Sequence, residues 1–240
     1  MAIAFDAGSS TSSDGSASTI SWNHTVAAGS DMALVVYVYT SNDTAVSGVT
    51  YNGDAMTQVF ASGFTSTQAC YMFRLVAPDS GTHAVTVTYA AAVTYRAAGA
   101  LSFSGVNQSS PVGGSGSLVQ YTSTITASVN VAEATSYIVD GSAAYNVAPN
   151  ANSGQTGGTS TTSAGFKLKM GYKVTPGTGA QTASYTLAGP ISYTIGALEL
   201  KEAVASGPAN LKTFLGVAKA SVKTMYGLAI ASVKTINGLS

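Results

Sequence analysis

MALVVYVYT (32–40) is a nine-residue run in which only the last side chain is polar. A continuous apolar run of this length, rich in Val and Tyr, reads as a strand buried on both faces. Its neighbours carry the complementary signal. In HAVTVTYA (83–90), Val85, Val87 and Tyr89 fall on one side and Thr86 and Thr88 on the other, the period of a half-buried strand. TASYTL (182–187) alternates likewise, with Ala183, Tyr185 and Leu187 on one face. Asn52-Gly53, in VTYNGDAMTQV, supplies the positive φ angles of a tight hairpin turn, and Pro78-Asp79-Ser80-Gly81 marks a second turn.

Working outward, about thirteen strand candidates occupy residues 1–202, each short and bounded by Gly, Asn, Asp or Ser. No Pro interrupts a central candidate. The expectation is an all-β, antiparallel jelly-roll or β-sandwich domain over residues 1–202. Two stretches read as long loops: NQSSPVGGSGSL (107–118) and NVAPNANSGQTGGTSTTSAG (146–165).

The pattern changes after residue 202. KEAVASGPAN (201–210) closes with a linker, 203–210, that ends Gly-Pro-Ala-Asn, and LKTFLGVAKAS (211–221) is followed by VKTMYGLAIAS (222–232) and the shorter VKTINGLS (233–240). The apolar positions of this 11-residue repeat recur at i, i+3, i+4 and i+7, and 3.67 residues per turn suits a helix. The spacing therefore favours a helical appendage over residues 211–240. The rival reading is a stacked β-repeat with turns at Leu215-Gly216, Tyr226-Gly227 and Asn237-Gly238. Either form leaves an apolar face that one repeat cannot cover by itself. The expected assembly interface is Leu211, Phe214, Leu215, Val217, Val222, Met225, Tyr226, Leu228, Val233, Ile236 and Leu239.

Charge is scarce, at 8% of residues against roughly 25% in an ordinary domain. Residues 203–240 hold four Lys and no acid, whereas residues 1–202 hold six bases and ten acids, so +4 on the tail balances −4 on the domain. Lys167, Lys169 and Lys173 recur on one strand and read as a solvated face, so no clustered basic surface for nucleic acid is expected. The N-terminus shows no signal peptide, and no apolar run is long enough for a membrane span. The single cysteine, Cys70, lies among apolar neighbours and reads as a buried small hydrophobe.

Catalytic chemistry has no visible constellation. His24 and His83 are the only histidines, and neither has a second ligand at metal spacing. Most acids fall at turns; a glycosidase reading would have to bring together a distant pair such as Asp54 and Asp140. No cofactor is expected, and the chain reads as a non-enzyme. Tyr121 and Tyr145, near the two long loops, are the candidates for contact with glycan.

The stretches ALVVYVYTSNDTAVSGVTYNGDAMTQV, YMFRLVAPDSGTHAVTVTY and ALSFSGVNQSSPVG resemble the jelly-roll sandwich of phage virion proteins and related bacterial surface proteins. The K-T-Φ-x-G-Φ-A-x-A-S tail resembles repeats at the ends of phage structural proteins. The resemblance implies a structural component of a virus particle or extracellular filament, of capsid-decoration, head-fibre or tail-fibre type, partnered by copies of itself and other particle proteins. It carries no catalytic residue. A carbohydrate-binding or adhesive module of a receptor-binding fibre is the alternative reading.

Overall fold

The computed structural model describes residues 2–41, 44–65, 68–145, 147–151, 155–161 and 165–204, and in the tail 213–214, 217–218, 224–225 and 228–229. The chain is all-β: among the described residues there is no helix, and every strand pair is antiparallel. Residues Ala2–Ala203 form one compact unit and Val204 onward belongs to another. In the first, the strands run β1 (Ala4–Ser13), β2 (Ala17–Val26), β3 (Ala33–Ser41), β4 (Val46–Tyr51), β5 (Asp54–Ala55), β6 (Thr57–Thr65), β7 (Gln68–Val76), β8 (Gly81–Val93) and β9 (Arg96–Ser104). Then come β10 (Val112–Val131), β11 (Tyr137–Tyr145), β12 (Asn150–Ala151), β13 (Thr156–Thr161), β14 (Phe166–Val174) and β15 (Gly179–Leu200).

Strand β3 is the centre of the first sheet, ordered β1-β9-β3-β7-β6, and all nine of its residues are buried. Its alternate side chains explain why. Leu34, Val36 and Val38 pack toward Val49, Tyr51, Val85 and Val87 of the second sheet, ordered β2-β8-β4-β5. Ala33, Val35, Tyr37 and Tyr39 pack toward Val139, Leu168, Met170 and Leu198 of the third sheet, which follows the path β10-β15-β11-β14-β13. The apolar run is thus a strand covered by a sheet on each side. Strand β8 lies in an outer sheet and buries Val85, Val87 and Tyr89 while Thr88 is exposed. Asn52 and Gly53 have φ of 51° and 91° and join Tyr51 to its partner Asp54, the expected two-residue hairpin.

The third sheet meets β3 on a glycine floor. Gly141 of β11 and Gly196 of β15 are direct partners. A Cβ on Gly141 would collide with the Tyr37 ring, and one on Gly196 with Phe60. The Tyr37 hydroxyl then reaches Thr194 Oγ1 at 2.7 Å. Gly141→Val is expected to lower the unfolding free energy by about 3 kcal/mol through overpacking, read from chemical denaturation. A loss within about 0.5 kcal/mol, the range of an ordinary surface substitution, would mean that the ring has room to move aside.

Two expected loops are corrected. Residues 112–118 begin the twenty-residue strand β10, and residues 156–161 of the second stretch form β13. The sequence also divides at Ala188-Gly189-Pro190, where the structure has one strand, β15, of 22 residues. The ladder between β10 and β15 skips from Thr122↔Ile191 to Thr124↔Thr186. Pro190 sits in that skipped stretch, where its missing N–H removes no ladder bond. Beyond the skip the β10–β15 hairpin folds back over its own sheet. Ile125, Val129, Ala183, Tyr185 and Leu187 of the returning half cover Ile138, Tyr193, Ile195 and Ala197. Gly114 and Gly116 make the close approach possible: a Cβ at either would collide with the backbone of Asn130 or Ser128. The Gly-Gly-Ser-Gly run is contact surface between two halves of one strand.

In the tail, β16 (Thr213–Phe214) pairs with β17 (Val217–Ala218), and β18 (Thr224–Met225) with β19 (Leu228–Ala229). The helical expectation is therefore corrected for the described tail residues, which are strands. The partners Phe214↔Val217 and Met225↔Leu228 are separated in sequence by Leu-Gly and Tyr-Gly. Glycine recurring at this place in the sequence weakens a helix by about 1 kcal/mol per residue. Residues 205–210 of the expected linker lie outside the described residues.

Candidate functional site

The pairing of β2 with β8 sets His24 directly opposite His83, so the chain's two histidines meet across 59 residues of sequence. Tyr51 lies near both, its ring centroid 6.4 Å from His24 and 5.6 Å from His83. The only tryptophan, Trp22, joins the same cluster. Its Nε1 donates to Ser9 Oγ at 2.9 Å, and Ser9 Oγ lies 2.8 Å from His24 Nδ1. On the other side of the ring, Nε2 is 3.2 Å from Ser102 Oγ, which donates to Asp6 Oδ2 at 2.7 Å. The donors assign the tautomer: Ser9 gives its proton to Nδ1, and Nε2–H points to Ser102.

Hydroxyl, imidazole, hydroxyl and carboxylate in that order have the succession of an activated nucleophile, its base and an orienting group. The surroundings favour a structural stitch. Ser9 sits within the extended strand β1, which offers no turn of converging backbone N–H groups of the kind that hold an oxyanion. His24 is 1% exposed. Burial pushes its pKa down to about 4, with Asp6 acting in the opposite direction. The chain of bonds ties β1 and β9 of the first sheet to β2 of the second. Among the described residues no three His, Cys, Asp or Glu side chains converge as metal ligands.

The two carboxylates singled out in the sequence do not converge. Asp54 is exposed on β5 of the second sheet, and Asp140 is fully buried on β11 of the third. The first sheet lies between them, so the pair does not flank a common bond. Asp140 accepts from the Tyr185 hydroxyl and from Gln155 Nε2, the latter at 2.8 Å. Burial raises its pKa to about 6, against the opposing pull of those two hydrogen bonds and of Lys173 and Lys169. Glu199, which sequence reasoning left unmarked, is 0% exposed. It accepts from the backbone N–H groups of Gly114 (3.1 Å), Ala132 (2.9 Å) and Glu133 (3.0 Å) and from Ser136 Oγ (2.7 Å). Burial alone would raise its pKa; these four donors outweigh it and hold the carboxyl below its usual range.

The two tyrosines singled out for glycan contact are brought into one row. Tyr121 on β10 pairs with Ser192 on β15, and Tyr193, next along β15, pairs with Ala144 on β11. Tyr145 therefore lies level with Tyr121, two strands away, a span of about 10 Å. Tyr121 is 70% exposed and Tyr145 40%. Tyr145 packs on Phe166 (5.1 Å) and Tyr95 (6.2 Å), and Phe166 stacks on Tyr39 (4.5 Å). Gln68, at the start of β7, donates from Nε2 to the Ser192 carbonyl at 3.3 Å.

Of the expected assembly residues, Phe214, Val217, Met225 and Leu228 fall in the paired strands of the tail. Leu211, Leu215, Val222, Tyr226, Val233, Ile236 and Leu239 lie outside the described residues. No helix among the described residues is long and apolar enough to cross a membrane. Compared with known proteins, the chain matches no family model, no curated protein and no solved structure.

Proposed function

We propose that the chain is a structural, non-catalytic component of a virus particle or extracellular filament, of decoration or fibre type, and that it assembles through residues 211–240. The observation that carries this reading is the register of the tail. Thr213↔Ala218 and Phe214↔Val217 recur as Thr224↔Ala229 and Met225↔Leu228, each shifted by one 11-residue repeat. Two-stranded hairpins are marginal in water when isolated. Successive hairpins with apolar partners gain stability by packing on copies of themselves or on another chain. The four tail lysines keep such a segment soluble before assembly.

The domain supports the same reading. The strand orders of its first two sheets, β1-β9-β3-β7 facing β2-β8-β4-β5, support reading that part as a jelly roll. Low charge on the surface permits close lateral packing in a particle. The test is the solution mass of the full chain against a chain ending at residue 204. The full chain is expected to form a defined oligomer and the shortened chain a folded monomer. Equal oligomeric mass for both would overturn assembly through the tail.

A further inference from the structure

The tyrosine row lies at the end of the interface between the first and third sheets, and that end carries unsatisfied buried groups. Gln68 is 7% exposed, and among the described residues its Oε1 has no hydrogen-bond partner, although its Nε2 is engaged with Ser192. Tyr39 is fully buried, and its hydroxyl also lacks a partner among the described residues. Leaving such atoms unpaired is costly, and a native protein keeps few of them. Both belong to this end of the interface. Ser192, which holds Gln68, is the residue paired with Tyr121. Phe166, stacked on Tyr39, is the residue against which Tyr145 packs.

From this juxtaposition we infer a binding site for a neutral saccharide, seated between Tyr121 and Tyr145 over Ser192, with the Gln68 amide as its polar floor. Aromatic faces contact the C–H faces of pyranose rings, and an amide oxygen and a phenol match hydroxyls that both donate and accept. A span of about 10 Å between the tyrosines is the length of a disaccharide. Gln68, Tyr39, Tyr95, Tyr121, Tyr145, Phe166 and Ser192 include no charged residue, so the ligand is neutral. All of these residues belong to the compact unit Ala2–Ala203, so the inference does not rest on assembly through the tail.

The test is affinity electrophoresis of the full chain through native gels containing dextran, galactomannan or hydroxyethylcellulose, each compared with a polymer-free gel. Retardation by at least one polymer is expected, with the apparent affinity falling tenfold or more in both Tyr121→Ala and Tyr145→Ala. Tyr121 is exposed, so Tyr121→Ala should keep the parent unfolding midpoint and oligomeric mass, which separates loss of binding from loss of fold. Gln68→Ala should weaken retardation as well. Mobility unchanged by all three polymers would overturn the inference. So would retardation that survives both tyrosine substitutions. A Tyr121→Ala chain that loses self-association, without any polymer having bound the parent, would make the row an interface between copies and would equally overturn it.

Discussion

Glu199→Ala is expected to destabilise the domain by about 4 kcal/mol or more, a large share of the total for a fold of this size. The carboxylate is enclosed and accepts from Gly114, Ala132, Glu133 and Ser136 at once. These donors come from the outgoing start of β10, the segment after its returning end and the approach to β11. One side chain on β15 therefore holds together both halves of the folded-back hairpin. Alanine would leave three backbone N–H groups without an acceptor, each buried donor costing about 1–3 kcal/mol unless water reaches it, while the Ser136 hydroxyl keeps the Glu133 carbonyl. Glu199→Gln keeps the volume but turns an NH2 group toward N–H donors, so it should fall between the parent and alanine. Urea denaturation measures both. A Glu199→Ala loss below about 1 kcal/mol would show that the donors find other partners and that the clamp does not hold the hairpin.

That clamp marks where the sequence stops being legible. The strand-level pattern was readable because it depends on period alone: β3 has apolar residues on both faces because it has a sheet on both sides, and β8 alternates because it has one. Layer order was not readable at that level. In GALEL (196–200), Glu199 lies between Leu198 and Leu200 and reads as an outward, solvated acid; it is buried because the returning hairpin covers that face. The trace of the fold-back in the sequence was Gly113-Gly114-Ser115-Gly116, whose composition equally signals a loop. His24 and His83 were legible only as isolated residues, since the strand register that sets them opposite each other is not a local property. Tyr121 and Tyr145 were chosen for their nearness to loops, and the row they share follows from the β10–β15–β11 register. In the tail, the same spacing satisfies a helix stripe and an 11-residue hairpin repeat. Glycine in each repeat was the residue that separated the two.

Acidification is expected to push two layers of the domain in opposite directions. His24 has its pKa moved from an ordinary 6.5 down to about 4 by burial. The unfolded chain then binds the extra proton first, so this contribution to stability is complete above pH 6.5 and is lost as the pH falls toward 4. The groups that face the ring are Asp6 from β1, Tyr51 from β4 and His83 from β8, and Asp6 offsets part of the loss. Asp140 has the opposite sign. Burial raises its pKa from 3.8 to about 6, so the folded state favours the protonated acid. Its contribution is complete below pH 3.8 and is lost as the pH rises toward 6. Glu199, held below its ordinary 4.5, adds a loss of its own only under that pH. Between pH 6.5 and 4.5 the His24 and Asp140 effects therefore nearly cancel, at about 2 kcal/mol each. The parent should show an almost flat stability across this window by denaturant titration. Asp140→Asn, which keeps an acceptor for Tyr185, should unmask the histidine and lose about 2 kcal/mol on acidification. His24→Gln should unmask the aspartate and gain a similar amount. Because His24 joins the first two sheets and Asp140 lies under the folded-back hairpin, amide exchange should follow the same division. On acidification β2 and β8 should exchange faster while β11 and the start of β15 exchange more slowly. Slopes of the same sign in the two variants would show that these groups do not carry the pH response.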